Sequence, residues 1–112
     1  GKEGLKEAAL CIQDIKSPAH HWMVVKHAIL LSLEKRERER KLTIELLVWL
    51  FKFKKVLTTA DFQKGLRAIS EDLDDIKMDI PYAGKFVDSM CQRFLKYKCI
   101  DQATLNLFKS QK

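Results

Sequence analysis

Thr58-Thr59-Ala60-Asp61-Phe62-Gln63-Lys64-Gly65-Leu66-Arg67-Ala68-Ile69-Ser70-Glu71-Asp72-Leu73 is the stretch that sets the fold class. Phe62, Leu66, Ile69 and Leu73 fall at i, i+4, i+7 and i+11. That spacing lines one face of an α-helix and cannot line one face of a strand. Thr58 or Thr59 can cap the helix, with Asp61 in its first turn. Gly65 lies inside the periodic run. In a helix interior glycine costs about 1 kcal/mol relative to alanine. Such a cost points to another backbone passing close by.

The helix runs into the one strongly acidic window of a basic chain. From Glu71 to Asp79 stand the carboxylates of Glu71, Asp72, Asp74, Asp75 and Asp79, with Lys77 as the only cation. Asp75 and Asp79 are four apart, so a helical turn places both on one side. Pro81 fits the first turn of a new helix, expected over residues 81–97, where its missing N–H costs nothing. Ile80 before it is pushed toward extended geometry. Two readings are open. Asp79 caps the following helix while the other acids are solvated, or the acids form a binding surface at a rigid bend. Chemistry alone favours capping.

Working outward, residues 42–53 are the densest apolar segment. Leu42, Leu46, Trp49 and Phe53 read as one core-facing stripe, with Leu47, Leu50 and Phe51 beside it. Lys52, Lys54 and Lys55 suit the negative end of that helix. Residues 34–41 carry five cations and three acids, and Glu34–Arg38 and Glu37–Lys41 have the spacing of helical ion pairs. This run reads as a solvated helix start or interhelix connection rather than an RNA face, because the acids cancel over half of the charge. In residues 20–33, Trp22, Val25, Ile29 and Leu33 share one face, and the apolar remainder predicts burial from more than one side. Residues 2–15 repeat the pattern with Leu5, Ala8, Ala9, Ile12 and Ile15. Beyond the acidic window, Phe86, Val87, Met90, Phe94 and Leu95 face inward, and Asp101 can cap a last helix through Leu105, Leu107 and Phe108. The fold class is therefore all-α, with about six helices. Short polar links between amphipathic helices make antiparallel hairpins, which stack into a small solenoid.

Composition narrows the function. A chain of 112 residues, 46% hydrophobic, can bury a core and has the size of one domain. No apolar run approaches the roughly 18 residues of a membrane span, and no signal-peptide pattern opens the chain. Cys11, Cys91 and Cys99 show no CxxC spacing and read as reduced thiols of an intracellular protein. His20, His21 and His27 lack zinc-finger spacing, so no metal site is expected. His27 reads as a packed or surface histidine. There is no phosphate loop, nucleophile elbow or paired His–Cys signature, so no catalytic residue, cofactor or small-molecule substrate is expected. The formal net charge of +6 permits weak attraction to RNA or to an acidic partner.

The order of features carries a resemblance. Ala28-Ile29-Leu30-Leu31-Ser32-Leu33-Glu34-Lys35 is followed by Glu45-Leu46-Leu47, then by Val56-Leu57-Thr58-Thr59-Ala60-Asp61-Phe62-Gln63-Lys64-Gly65-Leu66. Then comes Asp74-Asp75-Ile76-Lys77-Met78-Asp79-Ile80-Pro81-Tyr82-Ala83. This resembles the MA-three domain over residues 4–100. The family's module occurs in the scaffold initiation factor four G of eukaryotic translation and in the suppressor programmed cell death protein four. The resemblance implies a HEAT-like stack of helix pairs, one MA-three-type domain over residues 1–112, cut from a larger cytoplasmic scaffold. It implies binding to initiation factor four A, a DEAD-box RNA helicase, in cap-dependent translation. The implied contact residues are Asp75 and Asp79, with Asp74 beside them and Pro81 shaping the turn. Phe62 and Gly65 match positions that pack the hairpins. With the resemblance the acidic window reads as a partner site. A suppressor-type module that inhibits the helicase, and a basic helical RNA-binding module using residues 35–55, stand as alternatives. The stretch 49–55 is more aromatic and basic than the family pattern, and is either a second contact surface or core plus a basic helix end.

Overall fold

Six helices carry the described part of the chain, residues 20–108 of the computed structural model. They are α1 (His21–Leu33), α2 (Glu37–Lys52), α3 (Thr59–Glu71), α4 (Leu73–Asp79), α5 (Ala83–Lys96) and α6 (Gln102–Asn106). The helix expected over residues 2–15, and Cys11 with it, lie outside the described residues.

The central helix α3 starts as its sequence dictates. The Thr58 hydroxyl accepts a hydrogen bond from the Asp61 amide at 3.3 Å, and the Asp61 carboxylate accepts from the Thr58 amide at 2.9 Å. This reciprocal box satisfies two amides that the helix itself leaves unpaired. Phe62, Leu66, Ile69 and then Leu73 are buried along one face. Phe62 is the hub: its ring meets Phe51 of α2 at 5.7 Å and Phe94 of α5 at 5.1 Å, both edge-on. Edge-to-face pairs place a ring's positive rim on a negative face.

Contacts fix the topology. His21 at the start of α1 bonds the Val56 carbonyl just before α3, and Lys26 reaches Asp72 just after α3. So α1 and α3 run parallel. Arg40 near the start of α2 stacks on Phe86 near the start of α5, and Lys52 at the end of α2 stands over Tyr97 at the end of α5. So α2 and α5 also run parallel. The short link at 34–36 makes α1 and α2 an antiparallel hairpin, and Phe62 near the start of α3 against Phe94 near the end of α5 sets those two helices antiparallel as the next pair. Two hairpins stacked in register form the HEAT-like fold.

Gly65 lies where the hairpins touch. A Cβ built there would sit 2.8 Å from the Trp22 carbonyl oxygen and 3.1 Å from Val25 Cβ. Backbone cannot yield as a side-chain tip can. Gly65→Ala is expected to lose about 1–3 kcal/mol of stability from overpacking, although alanine is the better helix former. A urea midpoint equal to or above wild type would show that α1 can move away.

Several expectations need correction. The stripe read as Leu42, Leu46, Trp49 and Phe53 is rotated, with Leu46 alone of the four in the buried core. The core takes Ile44, Leu46, Leu47, Val48 and Leu50, while Trp49 is 36% and Phe53 75% exposed. A segment apolar around most of its circumference does not say which arc faces in; α1 and α5 decide that. On α1, Met23 and Leu31 are exposed, so burial there is less complete than the composition predicted. Glu34 ends α1 and Arg38 belongs to α2, so they share no helix, whereas Glu37 and Lys41 pair at 3.7 Å.

Burial also sets the thiol chemistry. Cys91 and Cys99 are buried and free. Desolvation, joined by the Asp88 charge, holds the Cys91 thiol far above its ordinary range. Burial pushes Cys99 up to about 11, partly offset by the Lys52 charge. In an unfolded chain both titrate near about 8.5. Their contribution to stability is full below that value and fades as pH rises toward 11, by about 1.4 kcal/mol per pH unit for each thiol kept protonated. Urea titrations from neutral to alkaline pH should show this slope, flattened in Cys91→Ala/Cys99→Ala.

Candidate partner-binding surface

The acidic window becomes a short helix of its own. α3 stops at Glu71, Asp72 leaves helical geometry at φ −97° and ψ 3°, and α4 resumes from Leu73. Asp72 is drawn to Lys26 of α1 at 3.3 Å, which ties this junction to the first hairpin. Leu73 is buried, and Ile76 and Ile80 pack against the core. The opposite side carries Asp74, Asp75 and Asp79, all exposed. Asp75 and Asp79 share a face as their spacing required, and Met78 lies between them on it.

Met78 is 82% exposed and Tyr82 is 61% exposed. Neither was singled out from the sequence. The signal was present for Met78, which falls off the Leu73–Ile76–Ile80 stripe and onto the aspartate side. An apolar, adaptable thioether ringed by carboxylates has the composition of a contact surface.

Pro81 does not open α5. The Ala83 amide donates to the Ile80 carbonyl at 3.0 Å, closing a β-turn with Pro81 and Tyr82 at its centre. Tyr82 has φ −92° and ψ 9°, the third-residue geometry of a type I turn. Proline's fixed φ suits the second position of that turn, which is why it stands there and not in the helix. Ile80 is extended, as the proline requires. Asp79 therefore does not cap α5: the N-cap is Tyr82, with no side-chain cap hydrogen bond. Asp79 ends α4 instead, next to carbonyls whose dipoles disfavour a negative charge. Asp74 and Asp75 lie in the favourable first turn of α4. Behind the turn, the Tyr82 ring leans on Phe86 at 6.5 Å and Lys85 stands 5.7 Å from it.

The family model described as the MA3 domain matches residues 2–101. The chain belongs to the MA3 domain family. Its relatives include MA3 domain-containing translation regulatory factor 2 of Arabidopsis thaliana, 32% identical over 89 residues, covering 80% of this chain and 13% of that protein. A von Willebrand factor A domain-containing protein of Dictyostelium discoideum is 33% identical over 90 residues, 76% of this chain and 4% of that one. Eukaryotic translation initiation factor 4G of Arabidopsis thaliana is 32% identical over 82 residues, 72% of this chain and 5% of that one. The MA3 chain thus spans a small part of each of these proteins. No helix of its described part is long and apolar enough to cross a membrane.

Proposed function

We propose that this MA3 domain is a protein-interaction module that binds the DEAD-box RNA helicase initiation factor four A and regulates cap-dependent translation initiation in the cytoplasm. Residues 1–112 act in this reading as one module, of the scaffold type that recruits the helicase. The observation that carries it is the outward face of α4, where Asp75, Met78 and Asp79 stand exposed beside the Pro81–Tyr82 turn. Exposed carboxylates on a fixed bend can take arginine or lysine from a partner in charge-assisted, bidentate bonds. Met78 and Tyr82 supply apolar area that becomes dry when such a partner docks. Similarity to eukaryotic translation initiation factor 4G and to translation regulatory factors supports a role in translation. The role is binding rather than catalysis.

Calorimetric titration of the helicase against wild type and Asp75→Ala/Asp79→Ala tests the reading. Binding by wild type that the variant loses supports it; equal affinity in both removes α4 from the site. An ATPase assay of the helicase then gives the sign of regulation, stimulation for a scaffold module and inhibition for a suppressor-type one.

A further inference from the structure

The parallel pairing of α2 and α5 leaves a groove of about 350 Å³ between them. Arg40, Lys41 and Ile44 line it from α2, and Phe86, Met90 and Arg93 from α5. The same helical rows continue to Lys52 and Tyr97 at the far end, where the Lys52 ammonium lies 5.6 Å and that of Lys96 6.0 Å from the Tyr97 ring. Cations and rings alternate along the seam: Arg40 stacks on Phe86 at 3.9 Å at one end, and Lys54 stands 5.3 Å from Trp49 beside the other.

Toward the far end of the seam the charge is not neutralised. Residues 46–60 and 89–100 contain no acid, and between them they supply Lys52, Lys54, Lys55, Arg93, Lys96 and Lys98. Among the described residues, none of these six is in an ion pair. Glu37 is the carboxylate in the groove, held by Lys41 at 3.7 Å. Lys55 and Lys98 sit at positive φ, 53° and 64°, where the ends of α2 and α5 turn away. The Cys99 and Lys98 amides close the end of α5 on the Phe94 and Leu95 carbonyls, a C-terminal motif whose left-handed position usually holds glycine. The chain keeps a cation at both positions despite the steric cost.

We infer that the α2–α5 groove binds single-stranded RNA, its cations following the phosphates and its half-buried rings receiving bases. A track of unneutralised cations interleaved with aromatic rings is the composition that holds a single strand without sequence preference. Phe86 and Tyr97 are recessed between two helices, which a flexible strand can enter and a bilayer cannot. The basic charge thus lies along a seam that takes in Arg40 and Lys41 from residues 34–41, while Asp74, Asp75 and Asp79 of α4 are not among the residues that line it.

The test is fluorescence anisotropy of a short labelled oligouridine with the whole chain across a salt series, with Lys52→Glu/Lys96→Glu beside wild type. Wild type is expected to bind more weakly as salt rises. The variant should lose at least tenfold in affinity. The slope of log affinity on log salt should be shallower by about 1.4, since each lost single-strand phosphate contact removes about 0.7. Both side chains are exposed, and circular dichroism checks that the variant folds. Equal affinities and slopes would overturn the inference. So would no binding at low salt, or capture by phosphatidylserine vesicles without binding to oligouridine. Asp75→Ala/Asp79→Ala should keep RNA binding, so failure here and failure of the helicase reading are distinguishable.

Discussion

Replacing Asp75 and Asp79 together by alanine is expected to weaken binding to initiation factor four A by about thirtyfold or more, with the helical content unchanged. The size follows from what docking does to exposed carboxylates. In the free domain both face water, so removing them costs the fold little. In the proposed complex each would be desolvated against a cation of the helicase. Truncating one member of a buried interfacial pair typically costs about 2–5 kcal/mol, part of it from the partner charge left unpaired. The loss should appear mainly as faster dissociation. Circular dichroism of the variant separates this from unfolding.

Phe62→Ala should be the most damaging single core substitution, lowering stability by about 3–5 kcal/mol in urea unfolding. Phe62 is fully buried and touches aromatic rings on two other helices. Its removal opens a cavity that three separate elements would have to close together, and that limits relaxation. Domains of this kind have about 5–15 kcal/mol in total, so the variant would lie near the edge of folding. A loss below about 1 kcal/mol would mean that Phe51 and Phe94 close over the gap.

The parts of the fold that were legible in the sequence are those where one residue type has one physical use. The spacing of Phe62, Leu66, Ile69 and Leu73 admits only a helix. Thr58 with Asp61 caps it, and Gly65 marks the contact with α1 where a side chain has no room. The unforeseen features depend on neighbours. Nothing in residues 71–73 is a strong helix breaker, yet α3 and α4 part at Asp72, which is pulled toward Lys26. The rotation of α2 could not be read from a segment apolar on nearly every side. Pro81 was legible as a bend, but a helix start and a type I turn use the same φ, and only the Ala83–Ile80 hydrogen bond separates them. At the candidate site, the spacing brought Asp75 and Asp79 together correctly. Met78 was hidden because an exposed methionine cannot be told from a core one until the buried face of α4 is known.

The Ile80–Ala83 turn also fixes when the proposed binding surface acquires its order. Its proline removes backbone freedom from the unfolded chain, and its hydrogen bond closes as the domain folds. The entropy of arranging Asp79, Pro81 and Tyr82 is therefore lost once, at folding, and not again at each encounter. In the proposed complex a partner would meet a preformed turn, in contrast to segments that fold only on contact and give up part of their affinity to do so.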